Sequence, residues 1–576
     1  MLKYSADFET ATWLPNETYV WAWALCNIEN VEDIKIGNTL ESFMDEIEKE
    51  NCTLWFHNLK FDGEFIIIYL LEHGFTKIED KKDRRDKTFT TLISDMGLFY
   101  TLEIYFKVDE KNRNTKKVTI YDSLKIIPLG VEAIPKAFGI EENKLHLDYN
   151  RVREEGYILK PYEERYIKND VKIVALALKQ MFDEDLTKMT IGSDALSSYK
   201  KTKGDLTFKR LFPSLNKELY DDLKHAYKGG FTYLNPKYIE VDNGKTINLD
   251  VNSLYPSVMR YELMPYGEPI FYEGKYIDDN VYPLYIQRIT CSFEIKKDRI
   301  PTIQIKGKRF FEENEYLESS KGEIIALTLT NIDLKLFLEQ YNVHNLEYWC
   351  GWKFKGMYGI FDEYIDYHIE EKNKATLSGN KGKRQIHKLL LNSLYGKFAT
   401  SMTAQEKIPY LENGILHYEL GEVHEKEGLY IPIGAFITSY ARNKTIRTSQ
   451  AIKTYSIEKY GKDMYIYSDT DSIKTLLPLE ELHEFCEIDD VKLGAWKYEG
   501  TAIRSKFVRQ KTYLEEFINK DGEKETVITC AGMPKTSHKY VRWETFKRGF
   551  TCGGKLIFSH VKGGVKLIET NFTIKF

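Results

Sequence analysis

An alternation of short β-rich runs and helical stretches over residues 1–190 constrains the fold of this chain more than any other feature. The β-rich runs lie at 19–26, 53–57, 89–93, 98–106 and 118–121, and the helical stretches lie at 40–50, 62–73 and 161–182. Strands that alternate with helices pack as layers around a sheet. We therefore predict an α/β domain over 1–190.

The rest of the chain predicts more than one further domain, because 576 residues are too many for a single hydrophobic core. Residues 194–222 have a helical, linker-like pattern. Turn signals and short strands over 261–361 are typical of an insertion, and a long helical pattern follows over 362–398. After it we expect a loop-rich stretch to about residue 430, then strands, then a small β-rich tail. The absence of a fixed-period repeat excludes solenoids and propellers.

Charge and hydropathy exclude several classes of protein. The 82 basic and 87 acidic side chains give a net charge of -5, which excludes a uniformly basic nucleic-acid coat but allows a local basic groove. Seven cysteines without a C-x-x-C pair predict a reducing cytosol. The longest purely apolar run, 65–71, is far shorter than the roughly 20 residues of a membrane span. An acidic amino terminus replaces a signal peptide, so we expect a soluble protein that is neither secreted nor bound to a membrane.

Carboxylates in the amino-terminal domain recur where strands and helices meet. Asp7 and Glu9 share one face of a strand end, a pair that alone is typical of a solvated strand. Asp62 lies near the start of a helix, and Tyr166 and Asp170 share a face of another. Four carboxylates on one core suit two hard cations about 4 Å apart, which stabilise the attacking and leaving oxygens of phosphodiester cleavage. Tyr166 could then hold the attacking water.

A second group of carboxylates lies in the carboxy-terminal half. Asp250 ends a buried strand, and Asp469 and Asp471 lie in an acidic turn between two short strands. Burying such acids costs free energy unless a metal compensates. We predict that Asp250 and Asp471 hold two Mg²⁺ ions against a triphosphate and a primer hydroxyl, with Asp469 close by. The turn taken alone is equally typical of a calcium site or of a plain surface turn.

One face of the helix predicted over 381–396 carries cations. Helical spacing places five side chains on this face: Lys381, Arg384, Lys388, Asn392 and Tyr395. The Arg384 fork and the Lys388 point charge can grip phosphates, while Tyr395 lies under a base. The alternative is an ordinary solvated basic face. Basic residues alternate with aromatic ones over 504–513, which suits a groove along a nucleic-acid backbone or, alternatively, a charged edge strand.

Several segments resemble known polymerase motifs. The motifs D-x-x-S-L-Y-P at 250–256, K-x-x-x-N-S-x-Y-G at 388–396 and Y-x-D-T-D-S at 467–472 resemble those of the family B DNA polymerases. The amino-terminal carboxylates, with Asn58 and Tyr166, resemble the three exonuclease motifs of proofreading polymerases. The signatures Y-x-G-G at 227–230, T-x-x-A-R at 438–442 and K-T-Y at 511–513 resemble template- and primer-binding motifs. The chain as a whole resembles the protein-primed polymerases of small tailed bacteriophages with linear genomes.

This resemblance implies an α/β multidomain fold, in which a ribonuclease H-like 3′-5′ exonuclease domain precedes a right-hand polymerase domain with two insertions. The implied boundaries are exonuclease 1–190, palm 191–261 and 428–530, first insertion 262–361, fingers 362–398, second insertion 399–427 and thumb 531–576. The first insertion would contact the priming protein and DNA. The second would give processivity and strand displacement.

The resemblance also implies roles for individual residues. A single-stranded 3′ end would be bound by Thr10, His57, Asn58, Phe61, Phe65, Ser123, Leu124 and Tyr149, with Lys144 assisting catalysis. Tyr255 would pack beneath the sugar and exclude a 2′-hydroxyl, and either Lys374 or Lys381 would meet the triphosphate. Lys511 would steady the primer end. Further DNA contacts would come from Tyr227, Gly229, Gly230, Ser253, Thr438, Arg442 and Tyr513. The metal ligands would be Asp7, Glu9, Asp62, Asp170, Asp250, Val251 and Asp471.

The implied activity is DNA-directed DNA synthesis on viral linear double-stranded DNA, with protein-primed initiation, strand displacement and 3′-5′ proofreading. Each site would use two Mg²⁺ ions, and Mn²⁺ accepts similar ligands. The implied partners are template-primer DNA, deoxynucleotides, a terminal priming protein and phage proteins that bind single- and double-stranded DNA. We expect a monomer in the cytoplasm of an infected bacterial host. The rival hypotheses are a nuclease whose carboxy-terminal half only grips substrate and a non-catalytic DNA-binding scaffold.

Overall fold

A computed structural model describes residues 1–109, 115–149, 151–304 and 316–575 of the chain. Small parts of three predicted domains lie outside the described residues: 110–114 and 150 of the exonuclease domain, 305–315 of the first insertion and 576 of the thumb. Within the described ranges, no helix is both long and apolar enough to span a bilayer.

The amino-terminal unit is a mixed sheet with helices on both faces. Its strands are β1 (Leu2–Thr10), β2 (Val20–Asn27), β3 (Ile34–Gly37), β4 (Cys52–Phe56), β5 (Thr76–Lys77), β6 (Thr88–Ile93), β7 (Phe99–Lys107) and β8 (Lys116–Asp122). Its helices are α1 (Leu40–Glu48), α2 (Leu59–Glu72), α3 (Ile134–Phe138) and α4 (Pro161–Asp183). The strand order is β3-β2-β1-β4-β8-β7-β6-β5, with β1, β4 and β8 parallel. The predicted α/β layers and their strands and helices are confirmed.

The next segment leads from helices into the central sheet of the carboxy-terminal half. Its elements are α5 (Ile191–Lys203), α6 (Asp205–Leu211), α7 (Lys217–Lys224), β9 (Thr232–Leu234), β10 (Asp242–Asn243), β11 (Thr246–Val251) and α8 (Leu254–Tyr261). The helical prediction for 194–222 is confirmed.

A β-rich segment follows, with strands much longer than the short ones predicted. Its elements are β12 (Met264–Glu273), β13 (Leu284–Ile295), β14 (Ile303–Gln304), β15 (Tyr316–Leu317), β16 (Ile325–Thr330), α9 (Asn331–Gln340) and β17 (Tyr341–Met357). The order β12-β17-β13-β16 makes a sheet whose core includes Phe293 and Phe337.

Of two predictions for the next segment, one is confirmed and one is wrong. The helical pattern over 362–398 is confirmed as two helices, α10 (Asp362–Leu377) and α11 (Lys381–Phe398), separated at Gly379, which takes a left-handed φ of 72°. The stretch expected to be loop-rich forms the hairpin β18 (Thr403–Glu412) and β19 (Ile415–Glu425), whose turn contains Asn413 and Gly414 at positive φ.

The prediction of strands directly after residue 430 is also wrong, because the helix α12 (Ile431–Tyr460) comes first. Its β-branched residues favour strands by propensity, but most of this helix is buried in the centre of the molecule, and tertiary packing overrides propensity. The elements after it are β20 (Tyr465–Asp469), β21 (Ser472–Thr475), α13 (Leu479–Leu482), β22 (Trp496–Ala502), β23 (Arg504–Arg509), β24 (Thr512–Ile518), β25 (Lys524–Cys530), β26 (Thr551–Val561) and β27 (Gly564–Thr573). The predicted β-rich tail is confirmed as the hairpin β26–β27.

The central sheet of the carboxy-terminal half has the order β22-β11-β21-β20-β9, with antiparallel neighbours throughout. The predicted strand that ends near Asp250 and the two short strands around the acidic turn are confirmed as β11, β20 and β21. Because β11 pairs with β21, residue Asp250 lies opposite Ser472, next to the acidic turn. The topology thus brings two acidic segments that are distant in sequence together at one end of the central strands.

Two candidate active sites

The amino-terminal carboxylates come from three elements that meet beside β1. Asp7 and Glu9 lie on β1, Asp62 lies in the first turn of α2, and Asp170 lies on α4, which packs across β1 and β2. Asp62 and Asp170 are buried, as is Glu9. The predicted set is therefore brought together in one place.

Burial and mutual repulsion raise the pKa values of these acids. Burial, followed by the charge of Asp170, raises the pKa of Asp7 to about 7. Burial, followed by the charge of Asp7, holds the pKa values of Glu9 and Asp62 well above their ordinary range. Burial also raises the pKa of Asp170, and the nearby Lys144 opposes that rise. Such a cluster ionises readily only when a cation joins it.

The donor set fits a divalent cation. One oxygen of Asp62 and one of Asp170 are buried without a hydrogen-bond partner. Buried carboxylate oxygens with no donor are costly, and Mg²⁺ and Mn²⁺ bind such oxygens. Among the residues that the structure describes, no three His, Cys, Asp or Glu side chains are already arranged to hold an ion.

Two tyrosines and a lysine border the acids. The hydroxyls of Tyr149 and Tyr166 lie 2.7 Å apart, and Thr12 Oγ1 donates to the Tyr149 carbonyl at 2.9 Å. Burial, followed by the charge of Glu9, raises the pKa of Tyr166, so its phenol stays protonated and can donate. Lys144 Nζ lies 3.3 Å from an oxygen of Asp170. Tyr149, Tyr166 and Lys144 thus lie beside the acids, and the role of Tyr166 in holding an attacking water stays a prediction.

His57 and Asn58, which follow β4 and are predicted to bind a single-stranded 3′ end, are held by hydrogen bonds within the protein. His57 contacts Ser123 Oγ through Nδ1 at 2.9 Å and the Leu129 carbonyl through Nε2 at 2.7 Å. Burial lowers the pKa of His57, so the ring is neutral. Asn58 has a left-handed φ of 80°, and its N–H donates to Asp122 Oδ1 at 3.0 Å. Both nitrogens of His57 are thus used inside the protein.

The other residues that are predicted to bind a single-stranded 3′ end differ in exposure. Phe61 and Leu124 are half-buried, whereas Thr10 and Phe65 are buried. A Cβ added to Gly564 of the hairpin β26–β27 would lie 2.2 Å from the Phe65 ring, so that hairpin covers it. Phe65 and Ser123 are both fully buried as placed, and the expectation that they contact DNA stays a prediction.

The carboxy-terminal acids meet as predicted, at one end of the interior strands β11, β20 and β21. The Val251 N–H donates to the Asp471 carbonyl at 2.7 Å, which fixes β11 against the acidic turn. Burial, followed by the charge of Asp471, raises the pKa of Asp250 to about 7. Burial likewise raises the pKa of Asp471. Two adjacent, half-buried acids again fit a divalent cation, and the Val251 carbonyl lies in the same segment.

Asp469 has a different environment, because protein donors already contact it. Thr232 Oγ1 donates to Asp469 at 2.9 Å, the Tyr467 hydroxyl donates at 3.3 Å, and Lys511 Nζ lies 3.3 Å away. The Lys511 N–H also donates to the Tyr467 hydroxyl at 3.0 Å. Tyr513 packs its ring 5.4 Å from that of Tyr467. Asp469 therefore orients the K-T-Y segment, and the prediction that it lies close to the other acids is met.

Two aromatic rings connect the acids to α11. The rings of Tyr255 on α8 and Tyr395 on α11 stack with centroids 4.0 Å apart. The charge of Asp471 raises the pKa of both, behind the larger effect of burial, and so lies near them. Ser253, which precedes α8, has a left-handed φ of 52°. Tyr227 is half-buried beside Tyr395.

The basic face of α11 forms as predicted. Four of its members are exposed and Tyr395 is half-buried; the exposed ones are Lys381, Arg384, Lys388 and Asn392. Lys374 is instead engaged by Glu370 at 2.8 Å and Glu371 at 3.0 Å. A phosphate would have to displace those two glutamates from Lys374. Of the two lysines that the sequence left open as contacts of the triphosphate, the geometry therefore favours Lys381.

Lys372 is a residue that the sequence analysis missed. Burial, followed by the charges of Arg384 and Lys388, lowers its pKa, so three cations share one space between α10 and α11. Such a group is stabilised by an anion. Spacing alone could not assign Lys372 to this group, because the break at Gly379 sets how α10 folds back on α11.

Gly230 packs directly against the acidic turn. A Cβ at Gly230 would lie 2.6 Å from Thr470 Oγ1, whereas a Cβ at Gly229 would meet nothing within 4 Å. Arg442 is buried and donates to the carbonyls of Lys228 and Gly229 at 2.8 and 2.7 Å. These contacts of Arg442 are internal, and its expected contact with DNA stays a prediction.

Thr438 is buried as well, and its hydroxyl donates to the Gly434 carbonyl at 3.0 Å, within its own helix. Arg442 also pairs with Asp333 of α9, which the sequence analysis missed. Through Arg442, the motif T-x-x-A-R therefore holds the loop 228–230 in place, and the DNA contacts expected of Thr438 and of the loop stay predictions.

Residues 43–478 match the family model described as DNA polymerase type B, organellar and viral. The DNA polymerase of Bacillus phage phi29 is 42% identical over 590 aligned residues, which cover 99% of each chain. That of Streptococcus phage Cp-1 is 31% identical and covers 99% of this chain and 98% of its own. The orthorhombic crystal form of phi29 DNA polymerase superposes over 100% of both chains with a TM-score of 0.93 and 42% identity. The phi29 polymerase complexed with primer-template DNA and incoming nucleotide substrates gives a TM-score of 0.91, with 42% identity and 100% of both chains covered.

Proposed function

Because the chain belongs to the type B DNA polymerases of organelles and viruses, we propose that it extends a DNA primer at the Asp250 and Asp471 site. We further propose that it excises 3′ nucleotides at the amino-terminal acids. The observation that carries the first proposal is the Tyr255–Tyr395 stack beside Asp471, because it joins the acids to the cationic face of α11. A nucleoside triphosphate has both the phosphates and the base that such a surface would bind.

In the proposed polymerase site, each part of the nucleotide has its own contact. Arg384 and Lys388 hold the triphosphate, with Lys372 adding a third cation. Tyr255 lies beneath the sugar, where its stacked ring leaves no room for a 2′-hydroxyl. Lys511, held beside Asp469, steadies the primer end.

Asp250 and Asp471, with the Val251 carbonyl, would hold Mg²⁺ or Mn²⁺. When bound, the metal would lower the pKa of the primer hydroxyl and neutralise charge on the transferring phosphoryl group. Because burial and the charge of Asp471 raise the pKa of Asp250 to about 7 without a metal, a cation would compete with a proton for this carboxylate. The backbone contact of Val251 with Asp471 keeps the two carboxylates at a fixed separation.

In the proposed exonuclease site, Asp7, Glu9, Asp62 and Asp170 would hold the same metals. The protonated Tyr166 donates a hydrogen bond that can orient the attacking water, and Tyr149 orients Tyr166. Lys144, beside Asp170, supplies positive charge near the scissile phosphate. Phe61 offers a half-buried ring on which a terminal base can stack.

The proposed domains follow the boundaries given above: exonuclease 1–190, palm 191–261 and 428–530, insertions 262–361 and 399–427, fingers 362–398 and thumb 531–576. The full-length similarity to phage polymerases supports protein-primed replication of linear viral DNA with strand displacement. The partners would be template-primer DNA, deoxynucleotides, a terminal protein and phage DNA-binding proteins. We propose a monomer in the cytoplasm of the infected host.

A 5′-labelled primer on a longer template tests both activities. The full chain is incubated with Mg²⁺, with and without the four deoxynucleotides, and the products are resolved by length. We expect extension with deoxynucleotides and stepwise shortening without them. Shortening in both reactions would leave a nuclease, and metal-independent binding without turnover would leave a scaffold; either result refutes the polymerase.

Substitutions separate the two sites. We expect Asp250→Asn and Asp471→Asn to abolish extension and retain shortening, and Asp7→Asn to do the reverse. Asp521→Asn, an exposed carboxylate in the turn between β24 and β25, is the matched control and should change neither. If each variant loses both activities together, the assignment of two separate sites is wrong.

A further inference from the structure

Two hairpins from distant parts of the chain pack against helix α2. The hairpin β26–β27 reaches the amino-terminal unit through the Thr18 N–H, which donates to the Lys562 carbonyl at 3.0 Å. The hairpin β18–β19 reaches it through the Asp95 N–H, which donates to the Gln405 carbonyl at 2.9 Å. Both hairpins are also attached to the carboxy-terminal half by the chain itself. Each hairpin therefore connects the two halves, and the chain together with these contacts forms a closed circuit that we call the ring.

An apolar layer fills this junction. Phe65 of α2, Leu416 of β19 and Val565 of β27 belong to one buried cluster, the same cluster that underlies the amino-terminal sheet. Apolar packing alone would hold the hairpins with equal strength at every pH. A charged contact in the same place adds a component that depends on protonation.

That contact is made by Glu64 of α2, a carboxylate with a relative exposure of 1%. Its Oε2 lies 3.0 Å from Nε2 of His560 on β26, although the alignment falls short of a hydrogen bond. Tyr418 of β19 lies against the same carboxylate, whose charge contributes to the raised pKa of that phenol behind the larger effect of burial. The Tyr418 and His560 rings are 6.0 Å apart. One buried acid thus contacts both hairpins.

The groups that face His560 are Glu64, Tyr418, Lys60 and Lys407. The contact with Glu64 raises the pKa of His560, while burial and the two lysines oppose that rise. Glu64 is buried and pairs with the His560 imidazole. Loss of the imidazole charge would leave the carboxylate charge uncompensated, which lowers stability.

We propose that Glu64 and His560 form a clasp that holds the ring closed and so sets how many nucleotides the enzyme adds before it leaves DNA. This inference rests on the proposed polymerase function. Because the pKa of His560 is raised in the closed ring, its contribution is fully present below the ordinary histidine value of about 6.5 and is lost as pH rises through the raised pKa.

The test measures product length in a single binding event. The full chain is bound to a primed circular single strand and started with deoxynucleotides, Mg²⁺ and a heparin trap, from pH 6.5 to 8.5 at constant ionic strength. The same samples are assayed for addition of one nucleotide under enzyme excess, which does not require the enzyme to stay bound. The variants are His560→Gln, Glu64→Gln, the double variant and His560→Lys, with His483→Gln, an exposed histidine of the carboxy-terminal half, as the control.

We expect the wild-type product to shorten as pH rises, and His560→Gln to be about fivefold shorter than wild type at pH 6.5, with no such pH dependence. Glu64→Gln should match it, and the double variant should add no further loss. His560→Lys, a permanent cation, should keep long products at pH 8.5. One-nucleotide addition should be unchanged throughout.

Equal product lengths for wild type and His560→Gln at every pH would overturn the clasp. So would a His560→Lys product as short as that of His560→Gln, which is the decisive comparison if a neutral variant folds poorly. Failure of the wild-type enzyme to extend any primer would instead overturn the proposed function, since the clasp variants are compared only with an enzyme that extends primers.

Discussion

The substitution Gly230→Ala tests how closely the loop 228–230 sets the polymerase site. The added Cβ would lie 2.6 Å from Thr470 Oγ1, 2.9 Å from Thr470 Cγ2 and 3.1 Å from Thr470 Cβ. Contacts of this kind need roughly 3.4 Å or more, so the loop and the turn must separate by close to 1 Å. Thr470 cannot easily yield, because it has a φ of 57° and its N–H donates to the Phe231 carbonyl at 2.6 Å.

A shift of about 1 Å in a catalytic group costs on the order of 100-fold in rate, and such overpacking costs about 1–3 kcal/mol of stability. We expect Gly230→Ala to slow single-nucleotide addition by about that factor and to leave excision of a single strand unchanged. Gly244→Ala is the matched control, because its Cβ would also meet nothing within 4 Å and Gly244 lies outside the predicted sites. Thr470→Ala in the Gly230→Ala background should restore part of the rate. A Gly230→Ala enzyme as fast as Gly244→Ala would refute the reasoning.

Three other predictions rest on charges. Lys474 and Glu515 form a buried ion pair at 2.8 Å, so Lys474→Met should lower the free energy of unfolding by about 3 kcal/mol, and adding Glu515→Leu should recover most of it, as measured by denaturant unfolding. Because the pKa of Asp7 is raised to about 7, the carboxyl stabilises the metal-free fold at low pH and loses that contribution as pH rises through 7; metal-free Asp7→Asn should show a weaker fall of Tm between pH 5 and 8. Arg384→Ala should raise the KM for deoxynucleotides about tenfold in steady-state kinetics, while the exposed Arg447→Ala should not.

Local patterns in the sequence were enough to predict most of the two candidate sites. Asp250, Asp469 and Asp471 follow from strand periodicity and a short turn, both set by neighbouring residues. The face of Lys381, Arg384 and Lys388 follows from the helical repeat in the same way. Antiparallel pairing of β11 with β21 then brings the distant acids together.

Features that depend on packing between distant segments could not be predicted. The β-branched run that begins at Ile431 favours a strand by itself and becomes a helix only because the surrounding core buries it. Phe65 occupies a motif position typical of a DNA ligand, yet the hairpin containing Gly564 covers it. Glu64 and His560 are isolated charges in the sequence, with no spacing that pairs them.

The loop 228–230 links the proposed first insertion to the acidic turn. Arg442 of α12 holds its carbonyls and at the same time pairs with Asp333 of α9, which lies in that proposed insertion. On its other side, Gly230 packs against Thr470, between Asp469 and Asp471. The Arg442 guanidinium is planar and rigid. If Asp333 moves and Arg442 moves with it, the carbonyls of Lys228 and Gly229 are displaced as well. A displacement of the first insertion would therefore reach the polymerase acids through one buried side chain, whether a partner protein or DNA causes that displacement.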